Sequence, residues 1–205
     1  MNKPIFIAEI KQKSMFNFEL RYSRKTLIDN ALEFGDWISV HTDPRFGGSF
    51  DDIYYLRKET NKPILAKGFH THDDDVKKAF DLGADYVLVV DRPSRKLLNS
   101  YLGNILFEIS SLNELNELPH DFLQFGKIVY NGRDLKTGIG KKYIGDYTEY
   151  RKKSSWLCGA SLIRSVKDVG VFYPDCDAFI VGENLVEFCQ EKKLNELLEK
   201  EKHER

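Results

Sequence analysis

The chain has 205 residues, 41% hydrophobic and 31% charged, with 31 Lys plus Arg against 32 Asp plus Glu. That length fits a single domain over 1–205 with a sizeable core, the composition excludes a disordered chain, and a formal net charge of −1 excludes a broad basic nucleic-acid footprint. No apolar run approaches the roughly 18 residues of a membrane span, and the N-terminal run is too short for a signal peptide. Cys158, Cys176 and Cys189 are odd in number and lack CxxC spacing, so reduced thiols in a cytoplasmic protein are expected and a structural zinc site is not.

The first strand lies within 6–14. Its apolar start gives way to an alternation that puts Glu9, Lys11 and Lys13 on one face and Ala8 and Ile10 on the other. Two readings fit: an edge strand with its charges in water, or a strand whose charged end opens into the mouth of a barrel. A helical pattern follows over 25–34, with Leu27, Ile28, Ala31 and Leu32 at helical spacing and Gly35 past its end. The second strand is 37–40. A Gly-containing loop then leads to a helix over 51–60, where Ser49 and Asp52 have capping-box spacing. The unit recurs: strand 62–66, a helix over 74–82 closed by Gly83, and 85–90 as a strand buried on both faces. A short helix at 95–101 precedes the fifth strand, 104–109. A helix at 112–118 stops at Pro119, and 127–130 is the sixth strand. A weakly marked helix at 147–152, with Asp146 as its cap, leads to a seventh strand at 155–158 and a helix at 165–171. The eighth strand is 177–181, and the closing helix runs from Asn184 into a solvated end over 199–205. Eight strands alternating with helices define parallel βαβ units, and eight is the number that closes a (β/α)8 TIM barrel. At this length several peripheral helices must be short.

On such a barrel the C-terminal strand ends share one mouth. The first strand ends in Glu9 and Lys11, the third in Lys67, the fifth in Glu108, and the sixth in Asn131 with Arg133 two beyond. One such residue is commonly just a solvated strand end; all of them at one register of four strands mark a site. The seventh and eighth strands lead into Cys158-Gly159-Ala160-Ser161 and Val181-Gly182-Glu183-Asn184. Gly at a strand-to-helix turn admits close backbone approach and amide groups there favour anions, so these loops are expected to take a phosphate. His70-Thr71-His72 ahead of Asp73, Asp74 and Asp75 offers metal-ligand residue types. The preferred reading is an N-cap at Thr71 or Asp73 with an acidic first turn, and no metal is assigned. Cys158 is read as a packing residue or substrate contact, because no His with a carboxylate partner lies near it in sequence. The 10 Tyr and 14 Phe residues form no repeating stripe and are expected between barrel and helices.

Ala8-Glu9-Ile10-Lys11 with Lys13-Ser14, Ile38-Ser39-Val40 with Thr42-Asp43, and Phe46-Gly47-Gly48-Ser49 resemble indole-3-glycerol phosphate synthases. So do Pro63-Ile64-Leu65-Ala66-Lys67-Gly68-Phe69, Gly83-Ala84-Asp85, Asn131-Gly132-Arg133-Asp134-Leu135 and Val181-Gly182-Glu183-Asn184-Leu185. Each motif alone is weak; their order along nearly the whole chain is specific. The resemblance implies a barrel enzyme of tryptophan biosynthesis that turns 1-(2-carboxyphenylamino)-1-deoxyribulose 5-phosphate into indole-3-glycerol phosphate, carbon dioxide and water, with no metal or organic cofactor. It implies Lys67 as general acid, Lys11 as the second lysine, Glu108 as the carboxylate of that acid–base work, and Glu9 and Asn131 as residues that hold the lysines and substrate hydroxyls. Ser14, Phe69, Arg133, Cys158, Gly159, Gly182 and Glu183 fall at substrate-side or phosphate-side positions. A lysine crowded by a second lysine in a partly dry mouth is expected to have a lowered pKa, moderated by nearby carboxylates.

The chain also departs from the family. The family carries an extra segment ahead of the first strand that covers the mouth, and its seventh strand ends in Glu-Ser-Gly where this chain reads Leu157-Cys158-Gly159. Met15 stands for a Pro and Gly68 for an Asp. These differences keep two other readings open: a lyase or isomerase acting on a related sugar phosphate, or a non-catalytic subunit whose mouth a partner chain covers. The retained set Glu9, Lys11, Lys67, Glu108 and Asn131 favours the synthase.

Overall fold

Parallel strands cannot be joined by tight hairpins, so each apolar segment here must be followed by a crossover that returns the chain to the same edge. The computed structural model describes residues 3–13, 21–70, 72–90, 94–133, 139, 147–172 and 174–203. Its strands are β1 (Ile5–Ile10), β2 (Trp37–His41), β3 (Ile64–Lys67), β4 (Tyr86–Val89), β5 (Ile105–Ile109), β6 (Lys127–Asn131), β7 (Leu157–Ala160) and β8 (Ala178–Val181). They form a closed barrel in chain order, every pair parallel, with β8 returning to β1. The intervening helices are α1 (Arg24–Phe34), α2 (Asp51–Glu59), α3 (Asp73–Asp81), α4 (Arg95–Tyr101), α5 (Leu112–Asn116), α6 (His120–Phe125), α7 (Tyr147–Lys153) and α8 (Val166–Phe172), closed by α9 (Leu185–His203). This is a (β/α)8 barrel with mostly short peripheral helices, and the closure abolishes any edge strand.

Strand alternation builds two cores. Ile7, Leu65, Leu88, Leu106, Val129, Cys158 and Ile180 fill the barrel interior. Their neighbours Ala8, Ile38, Ala66, Val87, Phe107 and Phe179 face outward beneath the helices, where Leu27, Ile53, Val76 and Phe122 meet them. The interior is closed at its lower end by Trp37, whose ring stacks on Tyr86 at 4.1 Å and on Trp156 at 6.0 Å. Those three aromatics therefore belong to the inside of the barrel, whereas Phe6, Phe107, Phe122 and Phe188 occupy the expected barrel-to-helix layer.

A recurrent aspartate sets the register. The residue just before β2, β4 or β8 is Asp36, Asp85 or Asp177, and each accepts the first free N–H of the preceding strand. The acceptors lie 2.8 Å from Phe6 N, Ile64 N and Leu157 N. A buried N–H without an acceptor is costly, so these carboxylates hold neighbouring strands in one register.

Four local expectations change. The seventh strand runs two residues later than its sequence pattern implied, over Leu157–Ala160, because Asp177 captures Leu157 N and leaves Ser155 and Trp156 as the lead-in. The helix expected at 112–118 ends at Asn116, ahead of Pro119, and Pro119 then stands at the entrance of a further helix, α6, where its fixed φ of −58° suits the position. The capping box forms by half: Asp52 accepts the Ser49 N–H at 2.8 Å, but Phe50 is the N-cap and no side chain caps α2. At α3 the N-cap is His72, also without a side-chain bond; Thr71 and Asp146, the other expected caps, lie outside the described residues.

Asp36 makes no other side-chain bond among the described residues, so it isolates the register device. Asp36→Ala is expected to lower the unfolding free energy by about 1–3 kcal/mol with an unchanged denaturant slope, read by urea titration.

Candidate active site

At the top of the barrel the inward register turns from apolar to polar. Glu9, His41, Lys67, Glu108 and Asn131 follow Ile7, Ser39, Leu65, Leu106 and Val129 by two positions, so each points into the mouth. With Lys11, Phe46, Phe69, Arg133, Gly182 and Glu183 they line a cavity that is open to solvent.

Glu9 is the hub. Its Oε1 lies 2.9 Å from Lys67 Nζ and 2.8 Å from His41 Nε2. Its Oε2 fills the space over Gly182, where a Cβ would come within 2.0 Å of it. Gly182 is thus demanded by the buried carboxylate itself, beside any ligand the loop takes. Burial pushes the Glu9 carboxyl up, but Lys67, His41 and Lys11 together outweigh it and hold the group well below the usual carboxylate range. Burial pushes the Lys67 ammonium down, and here Glu9 and Glu108 more than offset it, leaving its pKa above that of an ordinary lysine. The expected lowering is therefore reversed. The reason is that Lys67 answers to two carboxylates, while Lys11, the cation meant to crowd it, is itself paired with Glu183 at 3.1 Å.

A second charged cluster stands beside the first. Glu183 takes a two-pronged pair of hydrogen bonds from Arg133, at 2.7 and 3.0 Å, as well as the Lys11 contact. Burial raises the Glu183 carboxyl, and Arg133 and Lys11 bring it below its ordinary value. Between the clusters runs a neutral relay. Ser161 Oγ donates to Asn131 Oδ1 at 2.6 Å, the Arg133 N–H donates to the same oxygen at 3.0 Å, and Asn131 Nδ2 donates to Glu108 Oε1 at 2.9 Å. Glu108 Oε2 is buried and takes no hydrogen bond among the described residues.

One wall is aromatic. Phe46 stacks on the His41 ring at 4.3 Å, Phe69 lies 6.0 Å from Phe46, and the Arg45 guanidinium covers Phe69 at 4.8 Å. Behind it His70 is a buried link, bonded to the Leu88 carbonyl oxygen at 2.7 Å and to Thr42 Oγ1 at 2.9 Å. A Cβ at Gly68 would come within 2.5 Å of Thr42 Oγ1, so the Thr42–His70 pair takes the space a side chain at 68 would need. Among the described residues no cluster of three or more His, Cys, Asp or Glu is placed to hold a metal ion.

The mouth gathers Glu9, Lys11, Lys67, Phe69, Glu108, Asn131, Arg133, Gly182 and Glu183. Ser14 lies outside the described residues. Cys158 and Gly159 are not brought to the cavity. Cys158 sits lower, in the barrel interior, where burial raises its thiol pKa well above the ordinary value, and Gly159 is paired in register with the outward-facing Phe179.

The family model for indole-3-glycerol phosphate synthase matches residues 1–197. The chain belongs to the indole-3-glycerol phosphate synthase family. It is 29% identical to the indole-3-glycerol phosphate synthase of Sulfurisphaera tokodaii, over 97% of this chain and 84% of that one. It is 27% identical to the synthase of Staphylococcus saprophyticus, over 90% and 75%. It is also 29% identical to the tryptophan biosynthesis protein TrpCF of Helicobacter pylori, covering 90% of this chain but 43% of that longer protein. Among solved structures, a phosphoribosylanthranilate isomerase from Thermotoga maritima superposes with a TM-score of 0.61 at 11% identity, over 89% of this chain and 88% of that one. The tryptophan synthase alpha subunit of Legionella pneumophila gives 0.59 at 16%, over 90% and 82%. At such identities these two likenesses concern the barrel alone.

Family membership sharpens the seventh-strand departure. Because β7 continues through Ala160, the residues that reach the mouth after it are Ser161, Leu162, Ile163 and Arg164, not Leu157, Cys158 and Gly159. Leu157 faces the helix layer. Leu162 has a φ of 65° and Ser161 one of 75°, the left-handed region in which glycine is at ease and leucine is strained. Leu162, Ile163 and Arg164 were missed because the strand was read to end too early; Ser161 was reached only as the last residue of the expected phosphate loop. His41 was missed although period-two counting from Trp37 through Ser39 lands on it.

Two outcomes follow for stability. Leu162→Gly relieves a strain of roughly 1–2 kcal/mol at a half-buried position and is expected to leave stability unchanged or raise it by up to about 1 kcal/mol. A loss above about 2 kcal/mol on chemical denaturation would refute the strain. The second concerns acid. Burial lowers the pKa of His41, and of His70, below 6.5, so the unfolded chain takes up these protons first and stability falls as pH drops below 6.5. Glu9, held below 4.5, adds a loss below that value. His41→Gln is expected to flatten the upper window, by at most about 1.4 kcal/mol per pH unit, and to leave the lower one in place.

Proposed function

We propose that this chain is an indole-3-glycerol phosphate synthase acting in the cytoplasm, and that Lys67 is its general acid. The observation that carries this is the Glu9–Lys67 pair at 2.9 Å, seated beside Glu108 in an aromatic-walled mouth. The substrate would lay its aryl ring along Phe46 and Phe69, with its carboxylate and phosphate drawn to Lys11, Arg133 and the loops after β7 and β8. Attack of the aryl carbon on the ketone turns the carbonyl oxygen into an alkoxide. That oxygen is more basic than an amine, so Lys67 delivers its proton even with a raised pKa. Carbon dioxide then leaves with its bonding electrons returned to the ring, a step that needs positioning and charge stabilisation rather than a nucleophile. Dehydration needs a base for the ring proton and an acid for the departing hydroxyl. Glu108, whose Oε2 is unengaged by the described residues, supplies the base, and Lys11 the acid.

Asn131 holds Glu108 Oε1 and leaves the other oxygen to the substrate. Glu9 keeps Lys67 charged and aimed. Turnover of 1-(2-carboxyphenylamino)-1-deoxyribulose 5-phosphate, followed by indole fluorescence, tests the assignment. Lys67→Ala is expected to lower kcat by about 10²–10⁴ while the far-ultraviolet dichroism stays native. No turnover by well-folded wild-type protein would overturn it.

A further inference from the structure

Glu9 Oε1 carries two donors, Lys67 Nζ at 2.9 Å and His41 Nε2 at 2.8 Å, on side chains that are register partners of β2 and β3. We propose that His41 is a positioning residue of this active site: its Nε2–H shares Glu9 Oε1 with Lys67, which fixes the carboxylate and keeps the Lys67 proton loosely enough held to be transferred. The proposal extends the assignment of Lys67 as general acid and rests on it for its catalytic consequence. His41 also lies outside the residues that carry the family resemblance, since the matching stretches Ile38-Ser39-Val40 and Thr42-Asp43 bracket it without including it.

The tautomer follows from the surroundings. Glu9 is an anion and can only accept, so Nε2 must hold the proton. Nδ1 is buried with no hydrogen-bond partner among the described residues, and is left as a bare lone pair. Protonating it would put another cation beside Lys67 and Lys11, against one shared carboxylate oxygen. Burial, Lys67 and Lys11 all oppose that proton, and Glu9 alone favours it. The imidazole is also clamped: Phe46 stacks on it at 4.3 Å, and Gly48 backs onto its main chain, where a Cβ would fall 1.9 Å from the His41 carbonyl oxygen. A neutral, immobile donor results, one that does not compete for charge.

Its effect on Lys67 has a definite sign. An oxygen accepting two hydrogen bonds is a weaker acceptor for each. Without the imidazole, Glu9 Oε1 belongs to Lys67 alone, the ion pair tightens and Lys67 becomes a poorer acid. The other groups that act on Lys67 stay in place: Glu108 from β5, Cys158 from β7 and Glu9 itself from β1.

The test is the titration of the Lys67 amine, read by NMR on the full chain with labelled lysine and assigned by the signal missing in Lys67→Ala. His41→Leu is expected to raise the Lys67 midpoint by about half a unit or more, and His41→Gln, whose amide donates from a similar reach, to return it towards wild type. With substrate, His41→Leu is expected to lower kcat on the order of tenfold with little change in KM, and His41→Gln to recover most of it. An unchanged Lys67 midpoint in folded His41→Leu overturns the proposal. So do imidazole nitrogen shifts in the wild type that put the proton on Nδ1, an observation that decides the matter even where His41→Leu does not fold. Both spectroscopic readouts need no substrate, so absent turnover would count against the synthase assignment and not against His41.

Discussion

A carboxylate nearly out of contact with water is the constraint around which this molecule is arranged. Glu9 is 5% exposed, and an uncompensated charge at that depth would cost several kcal/mol. Everything that touches it answers that cost. Lys67 and His41 share one oxygen, and Gly182 vacates the space over the other. These partners come from β2, β3 and the turn after β8, so the compensation exists only when the barrel is closed. The coupling runs both ways: closure brings the cations to Glu9, and Glu9 makes three strand ends mutually dependent.

Around that hub the mouth divides its charges. Lys67 faces two carboxylates and stays firmly cationic, whereas Lys11 and Arg133 are occupied by Glu183. Any anion entering the mouth therefore meets one lysine held by two carboxylates and a separate basic pair whose internal counter-ion it must outbid. Asn131 links the two halves, bonded to Glu108 on one side and to Ser161 and the Arg133 main chain on the other. The two sets of cations thus rest on separate carboxylates within one small cavity.

Where the chain differs from its family, the surrounding residues take up the difference in physical terms. The space at Gly68 is filled by His70 and Thr42, bonded to each other. The loop beyond β7 holds Ser161 and Leu162 in the left-handed region, a conformation that leucine adopts only under strain. Strain of that kind persists only where the neighbouring structure overdetermines it, and it commonly lies at functional sites.

Much of this was legible in the residues. Apolar runs alternating with helical patterns marked the eight strands, and the charged or amide residues at their C-terminal ends identified Glu9, Lys67, Glu108 and Asn131 as one ring. These features are local, set by the pleat and by side-chain chemistry, and need no knowledge of partners. What local pattern could not decide was anything that depends on a second strand. The end of β7 hinged on Asp177 reaching Leu157, so Cys158 and Gly159 were assigned to a mouth that holds Ser161 and Leu162 instead. The direction of the Lys67 shift depended on how many carboxylates face it and where Lys11 is held. The role of His41 required the register that sets it opposite Lys67 with Glu9 between them. Sequence by itself determined the barrel and the kinds of groups at its rim; the tertiary structure alone decided which of them pair, because Coulomb and hydrogen-bond energies act over a few ångströms that only strand register and barrel closure can set.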